Sequence, residues 1–268
     1  VSSTPTPRRL YIHDDLTETA WSLRPRSAEA VRLVSALFTA MRAEPHVVVL
    51  SLAEQLTGVL ARGGYLPFKT TIGIGAAGER VARELHVRAG WFPSIVRVEV
   101  TREEAGEDRY VLTGPAPLAQ QLAGLVADGP LAIVDDTIFS GLTLQAVLGA
   151  LPSDARRRAH VFCLRAVAES LPAIERLCPV TAGFAAPGRI LHDVSFINAS
   201  GLVRRGAIRR IGATPLAFFE RAEWMQAWFP RQVDEVTRLC RRLHAIVDGA
   251  GSGSQDPAQR MIATTREG

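Results

Sequence analysis

Between residues 47 and 184 the chain alternates short apolar runs with stretches of helical periodicity, and several of those runs are apolar on both faces. A strand with one face in water alternates apolar with polar residues, whereas a strand covered by helices on both sides has no polar face to show. The runs are Val47–Leu50, Thr70–Ile74, Ile95–Val100, Tyr110–Thr113, Leu131–Val134, His160–Val167 and Val180–Phe184. Helical periodicity marks Ala28–Arg42 (after Ser27, a good N-cap), Leu52–Ala61, Glu79–Arg88, Leu118–Ala127, Leu142–Leu151 and a stretch near Ser170–Leu177. This order predicts a doubly wound α/β fold with a mainly parallel sheet and ligands at the carboxyl ends of its strands.

From Ala185 the pattern changes to loops and two amphipathic helices, Pro215–Phe229 and Arg231–Asp248. The expected organisation is therefore an N-terminal hood segment (1–45), an α/β core (46–184), a C-terminal hood with helices (185–248) and a Gly/Ser-rich flexible tail (249–268). With 47% hydrophobic and 22% charged residues, the composition excludes disordered and collagen-like chains. Cys163, Cys178 and Cys240 are too few and too scattered for a disulfide framework or a zinc site. The first residues lack the apolar core of a signal peptide, and no run is long enough to span a membrane, so a cytoplasmic location is expected. The basic balance, +4 net, fits nucleic acid, but the arginines are spread along the chain, so small phosphorylated ligands fit equally well.

One lysine, Lys69, stands among 31 basic residues. Guanidinium groups suit bidentate binding of phosphate or carboxylate but form no Schiff base, so lysine chemistry has a single candidate. Lys69 sits in a P-loop-like frame, Gly63–Thr70, but Phe68 replaces the second glycine and the frame precedes a strand. A side chain there blocks the approach of backbone to phosphate, and the P-loop is rejected.

Two glycine turns compete for the ligand. Gly73-Ile74-Gly75-Ala76-Ala77-Gly78 matches the dinucleotide fingerprint, with Glu99 ending the next strand where a ribose-binding acid would sit. It reads equally well as a strand-to-helix turn whose glycines allow close packing. The second turn lies in Leu131-Ala132-Ile133-Val134-Asp135-Asp136-Thr137-Ile138-Phe139-Ser140-Gly141-Leu142-Thr143. An apolar strand runs into two acids, then a hydroxyl-bearing glycine turn, then a helix whose N-terminus offers unpaired N–H groups and a positive dipole end. Such a turn suits a phosphate monoester. Two carboxylates beside it repel phosphate but accept hydrogen bonds from sugar hydroxyls, or face a Mg²⁺ bridging the ligand. A phosphate cradle with a diol-binding acid pair describes a ribose 5-phosphate site.

That second run closely resembles the 5-phosphoribosyl 1-pyrophosphate (PRPP) motif of class I phosphoribosyltransferases, and the similarity extends over roughly residues 70–187. The resemblance implies that Asp135 and Asp136 hold the ribose hydroxyls and face Mg²⁺. It places Thr137, Ile138, Phe139, Ser140, Gly141, Leu142 and Thr143 around the 5-phosphate, and Gly75, Ala76, Ala77, Gly78 and Arg80 at the pyrophosphate. It also implies a flexible loop at Thr101–Arg109, with Arg102 and Arg109 closing over the reacting centre.

The departures from the family pattern concern the acceptor. Phe139 stands where purine-using members have an acid, no lysine lies downstream to read a base oxygen, and Ile190 occupies the base-stacking position after Gly183-Phe184-Ala185-Ala186-Pro187. Phe139 is expected to pack beneath the turn. Phe196 and Asn198 join Ile190 and Phe139 as acceptor-pocket candidates, although Asn198 also reads as a hydrogen-bonded core residue. The basic run Arg204-Arg205 with Arg209-Arg210 suits a solvated face, an anionic acceptor or a partner subunit. His13-Asp14-Asp15 and His192-Asp193 lack further ligands at metal spacing and read as structural. The expected activity is Mg²⁺-dependent transfer of phosphoribose from PRPP to an unidentified nitrogen heterocycle with release of pyrophosphate, by a homodimer. The alternatives are a PRPP-sensing regulator of the same fold, or a Rossmann-type enzyme using NAD or S-adenosylmethionine at Gly73–Gly78.

Overall fold

The computed structural model describes residues 9–17, 27–106, 109–125, 128–188, 196–209 and 211–251. Its first half runs β1 (Leu10–Asp14), α1 (Ser27–Arg42), β2 (Val47–Ser51), α2 (Leu52–Leu60), β3 (Thr70–Ile74), α3 (Gly75–Ala89) and β4 (Ile95–Val98). There follow β5 (Thr101–Gly106), β6 (Arg109–Thr113), α4 (Leu118–Leu122), β7 (Leu131–Ile138), α5 (Leu142–Ala150), α6 (Ser153–Arg157), β8 (Ala159–Val167), α7 (Leu171–Glu175) and β9 (Val180–Ala186). The chain ends in β10 (Phe196–Asn198), α8 (Ala199–Val203), α9 (Ala222–Trp228) and α10 (Val233–Gly251).

The central sheet is five-stranded and parallel, in the order β4-β3-β7-β8-β9. Along β7, Leu131 and Ile133 pack with Leu144, Val147 and Leu148 of α5, while Ala132 and Val134 pack with Val81, Ala82 and Leu85 of α3. Alternate residues thus enter different cores, which is why the run is apolar throughout. Because α3 and α5 lie on opposite faces, the order of the sheet switches between β3 and β7. In such sheets the crevice at the carboxyl ends of the two switch strands is the ligand site.

A second parallel sheet, β10-β1-β2, sits apart from the first. Its core gathers Leu10, Ile12, Leu37, Met41, Trp228 and Leu239, so residues far apart in sequence form one hood. Val47–Leu50, read from the sequence as the first strand of the core series, belongs to this hood sheet and pairs with β1. Neither β1 nor β10 is recognisable from the sequence: each is short, and each makes sense only beside the other. Of the segment 101–109, expected as a loop, Thr101–Gly106 forms β5, which pairs antiparallel with β6 as a hairpin. Pro215–Phe229 is not one helix: Leu216 makes an isolated bridge to Ile208 and α9 begins only at Ala222. Among the described residues no helix is long and apolar enough to cross a membrane. The tail 252–268, Ile190 and His192-Asp193 lie outside the described residues.

Candidate functional site

At the switch point both glycine turns lead into helices through left-handed backbone. Gly75 (φ 58°) opens α3, and Gly141 (φ 73°) caps α5. The two helix N-termini follow adjacent parallel strands, so their free N–H groups and positive dipole ends lie at the same edge of the sheet. The other glycines of the first turn serve packing. A Cβ on Gly78 would stand 2.3 Å from the Val134 carbonyl oxygen, and one on Gly73 would stand 2.6 Å from the Glu79 Cα. Gly75 alone of the three has open space around its Cα. Glu99, the ribose acid of the dinucleotide reading, is ion-paired to Arg97.

The segment Asp135–Leu144 lines a chamber of about 190 Å³, closed by Arg102 and Asn198. Asp135 Oδ1 accepts the Asp136 backbone N–H at 2.8 Å. The Thr137 hydroxyl donates to Asp136 Oδ2 at 3.0 Å, and the Ser140 hydroxyl accepts from the Leu142 N–H at 3.4 Å. The two acids are shifted in opposite directions. Burial and the neighbouring Asp136 raise the Asp135 carboxyl well above the ordinary range. Burial acts on Asp136 in the same direction, but Arg165 and the Thr137 hydroxyl outweigh it and hold Asp136 below its ordinary value.

Arg165 escapes a motif-based reading. It is 1% exposed, on β8, and its Nη2 donates to Asp136 Oδ2 at 3.0 Å and to Asn198 Oδ1. Its Nη1 donates to Gln55 Oε1 at 3.0 Å, and the Gln55 amide donates to His13 Nδ1 at 2.8 Å. Burial and the Arg165 charge lower the His13 pKa to about 3, so this ring is neutral. One guanidinium therefore joins β7 and β8 of the core to α2, β1 and β10 around it. A signal was present: a lone arginine inside Phe162-Cys163-Leu164-Arg165-Ala166-Val167 requires a buried counter-charge.

Asn198, read as an acceptor-pocket residue or a satisfied core amide, has its carbonyl bonded to Arg165 and also borders the chamber. His13-Asp14-Asp15 is structural in detail: Asp14 accepts from Thr17, and Asp15 accepts the Ser200 N–H at 2.7 Å. Among the described residues no three His, Cys, Asp or Glu side chains form a metal-ligating group. The Arg109 side chain lies outside the described residues, and Arg80 stands on the first turns of α3.

A second chamber, of about 440 Å³, adjoins the first and shares Arg102, Phe139 and Asn198 with it. Its walls include Tyr110 of the hairpin, Phe196 of β10, Phe218, and Trp224 and Trp228 of α9. Phe139 does not simply fill space beneath its turn. It packs with Val167, Ala186 and Phe196 and borders both chambers, and its carbonyl accepts from the Ser170 hydroxyl. Arg102 stacks on Tyr110 with its guanidinium carbon 4.6 Å from the ring centre. The hairpin is held by its backbone: the Glu104 N–H donates to the Arg209 carbonyl at 2.9 Å, and the Ile211 N–H donates to the Glu104 carbonyl at 3.2 Å.

Phosphoribosyltransferases of known structure resemble this chain. A purine phosphoribosyltransferase from Pyrococcus horikoshii Ot3 is 16% identical, over 72% of this chain and 93% of its own, with a TM-score of 0.35. An orotate phosphoribosyltransferase from Aeropyrum pernix is 18% identical, over 50% of this chain and 70% of its own, with a TM-score of 0.32. A hypothetical protein from Neisseria gonorrhoeae with bound ppGpp is 14% identical, over 71% of this chain and 90% of its own, with a TM-score of 0.38. No family model matches the chain, and no curated protein sequence does.

Proposed function

We propose that the protein transfers a 5-phosphoribosyl group from PRPP to an acceptor and releases pyrophosphate. The observation that carries this reading is the adjacency of two unlike chambers at one switch point. One is a small polar pocket with a helix N-terminus and an acid pair; the other is a larger aromatic one; they meet at Arg102, Phe139 and Asn198. A PRPP sensor needs only the first. Glu99, the acid that the dinucleotide alternative needs for the ribose, is already ion-paired to Arg97, which weakens that alternative.

In this reading the N–H groups at the start of α5, with Thr137, Ser140 and Thr143, bind the 5-phosphate. Asp135 accepts hydrogen bonds from the ribose hydroxyls. The start of α3 around Gly75, with Ala76, Ala77 and Arg80, holds the pyrophosphate. Arg102, at the junction, faces the bond that breaks, where its charge stabilises the leaving group. The hairpin covers the junction and limits the entry of water. The donor set fits Mg²⁺ as an ion carried by the ligand: Asp136 already accepts from Arg165, which leaves few carboxylate oxygens, and Mg²⁺ is commonly held by one or two carboxylates with substrate phosphates. When bound, Mg²⁺ would neutralise charge on the pyrophosphate.

The test is calorimetry with PRPP and Mg²⁺. Asp135→Asn keeps the acceptor of the Asp136 N–H and does not touch Arg165, so it probes binding without dismantling the fold. Its PRPP affinity is expected to fall at least about tenfold, the scale of a lost charge-assisted pair. Unaltered affinity would overturn the assignment of the acid pair. Pyrophosphate release with an acceptor distinguishes the enzyme from a sensor.

A further inference from the structure

We infer that the acceptor is an aromatic acid of more than one ring, its ring system lodged in the larger chamber and its anionic group at the mouth; this rests on the phosphoribosyl-transfer reading above. The volume of about 440 Å³ lies within the roughly 300–1,000 Å³ of pockets that enclose drug-sized ligands. A single-ring base would leave much of the wall uncovered.

The wall is aromatic and mutually braced. Phe218 meets Trp228 edge-on at 5.5 Å between ring centres and Trp224 at 5.8 Å, and the two tryptophans are 5.5 Å apart. Trp228 is 3% exposed, yet its indole Nε1 is buried with no hydrogen-bond partner among the described residues.

The charge at the mouth is unbalanced. Arg205 is paired with Glu220 at 2.9 Å, and the lining carboxylate, Glu104, lies 4.0 Å from Arg221 outside the chamber. Arg102, Arg204 and Arg209 also line the chamber, and none of them has a carboxylate partner among the described residues. Arg204 and Arg209 are exposed, so an anion meeting them there keeps part of its hydration and binds without the full desolvation cost of a buried pair. A neutral nucleobase makes no use of these groups.

The probes are quinoline-2-carboxylate, its neutral carboxamide, 1-naphthyl phosphate and hypoxanthine, titrated by calorimetry into the full chain, with PRPP and Mg²⁺ titrated separately. Quinoline-2-carboxylate or naphthyl phosphate should bind at least about tenfold more tightly than the carboxamide, and the advantage should shrink as salt rises. Their relative affinities tell a carboxylate acceptor from a phosphate one. The Arg204→Gln, Arg209→Gln double variant should abolish the discrimination, and Arg204→Lys, Arg209→Lys should restore much of it. If the glutamine variant does not fold, the salt titration of the unaltered protein decides. PRPP binding without anionic preference, or hypoxanthine as the tightest probe, overturns this inference and leaves the transferase reading standing. Anionic preference without PRPP binding overturns the transferase reading, and with it the acceptor role, and leaves the chamber as a site for aromatic anions.

Discussion

The smaller chamber draws almost its whole lining from one continuous segment, Asp135–Leu144, whereas the larger draws on the hairpin, the β7 turn, β10, the 204–209 loop and α9. Consecutive residues on a strand-turn-helix unit are placed by local geometry, so their chemistry can be read in order. Residues gathered from several separate segments are placed by hood packing, and their meeting has no local signature. This explains which parts were legible. The parallel core, the acid pair and the hydroxyl-bearing turn stand in the sequence; Tyr110, Trp224 and Trp228 as walls of one space do not. The hood sheet was hidden for a related reason: β1 and β10 are neighbours in the sheet but are separated by most of the chain. Asn198 and Phe139 were legible as candidates, but not as the shared border of the two chambers.

Arg165 is where the contrast can be broken with the largest effect, because it ties the local chamber to the assembled one. Asp136→Asn leaves a guanidinium that is 1% exposed without its carboxylate. Removal of one partner of a buried pair costs about 4 kcal/mol, so the urea midpoint should fall steeply. A cost of under about 1 kcal/mol, the level of a surface ion pair, would mean that the network does not hold the chambers together.

A smaller effect separates the two roles within the first glycine turn. Gly78→Ala drives a Cβ to 2.3 Å from the Val134 carbonyl oxygen, so α3 must move off β7. Such overpacking costs about 2 kcal/mol. Gly75→Ala meets open space and pays only for its φ of 58°, about 1 kcal/mol. Its main loss should instead appear in PRPP affinity. Urea denaturation of the two variants beside PRPP titration tests the division. Equal stability losses would mean that the turn is a packing device throughout.

The smallest effect, and the sharpest in sign, lies between the two acids. The Asp135 carboxyl is raised in the folded protein by burial and by Asp136, so across the interval above the ordinary carboxylate range the folded state holds more protons than the unfolded state. Stability attributable to this group therefore falls as pH rises through that interval. Asp136 has the opposite sign: with its folded value lowered, its contribution is present above the ordinary carboxylate range and is lost as pH falls. Asp135→Asn removes the first behaviour and leaves the second, which rests mainly on Arg165 and Thr137, largely in place. Near neutral pH the variant should be at least as stable as the unaltered protein while binding PRPP worse, and its advantage should vanish in acid, where Asp135 is protonated in both states. Urea midpoints of the two proteins across this pH range measure the difference. An advantage independent of pH would show that Asp135 is ionised without penalty, and the small chamber would then be as tolerant of charge as the exposed mouth of the large one.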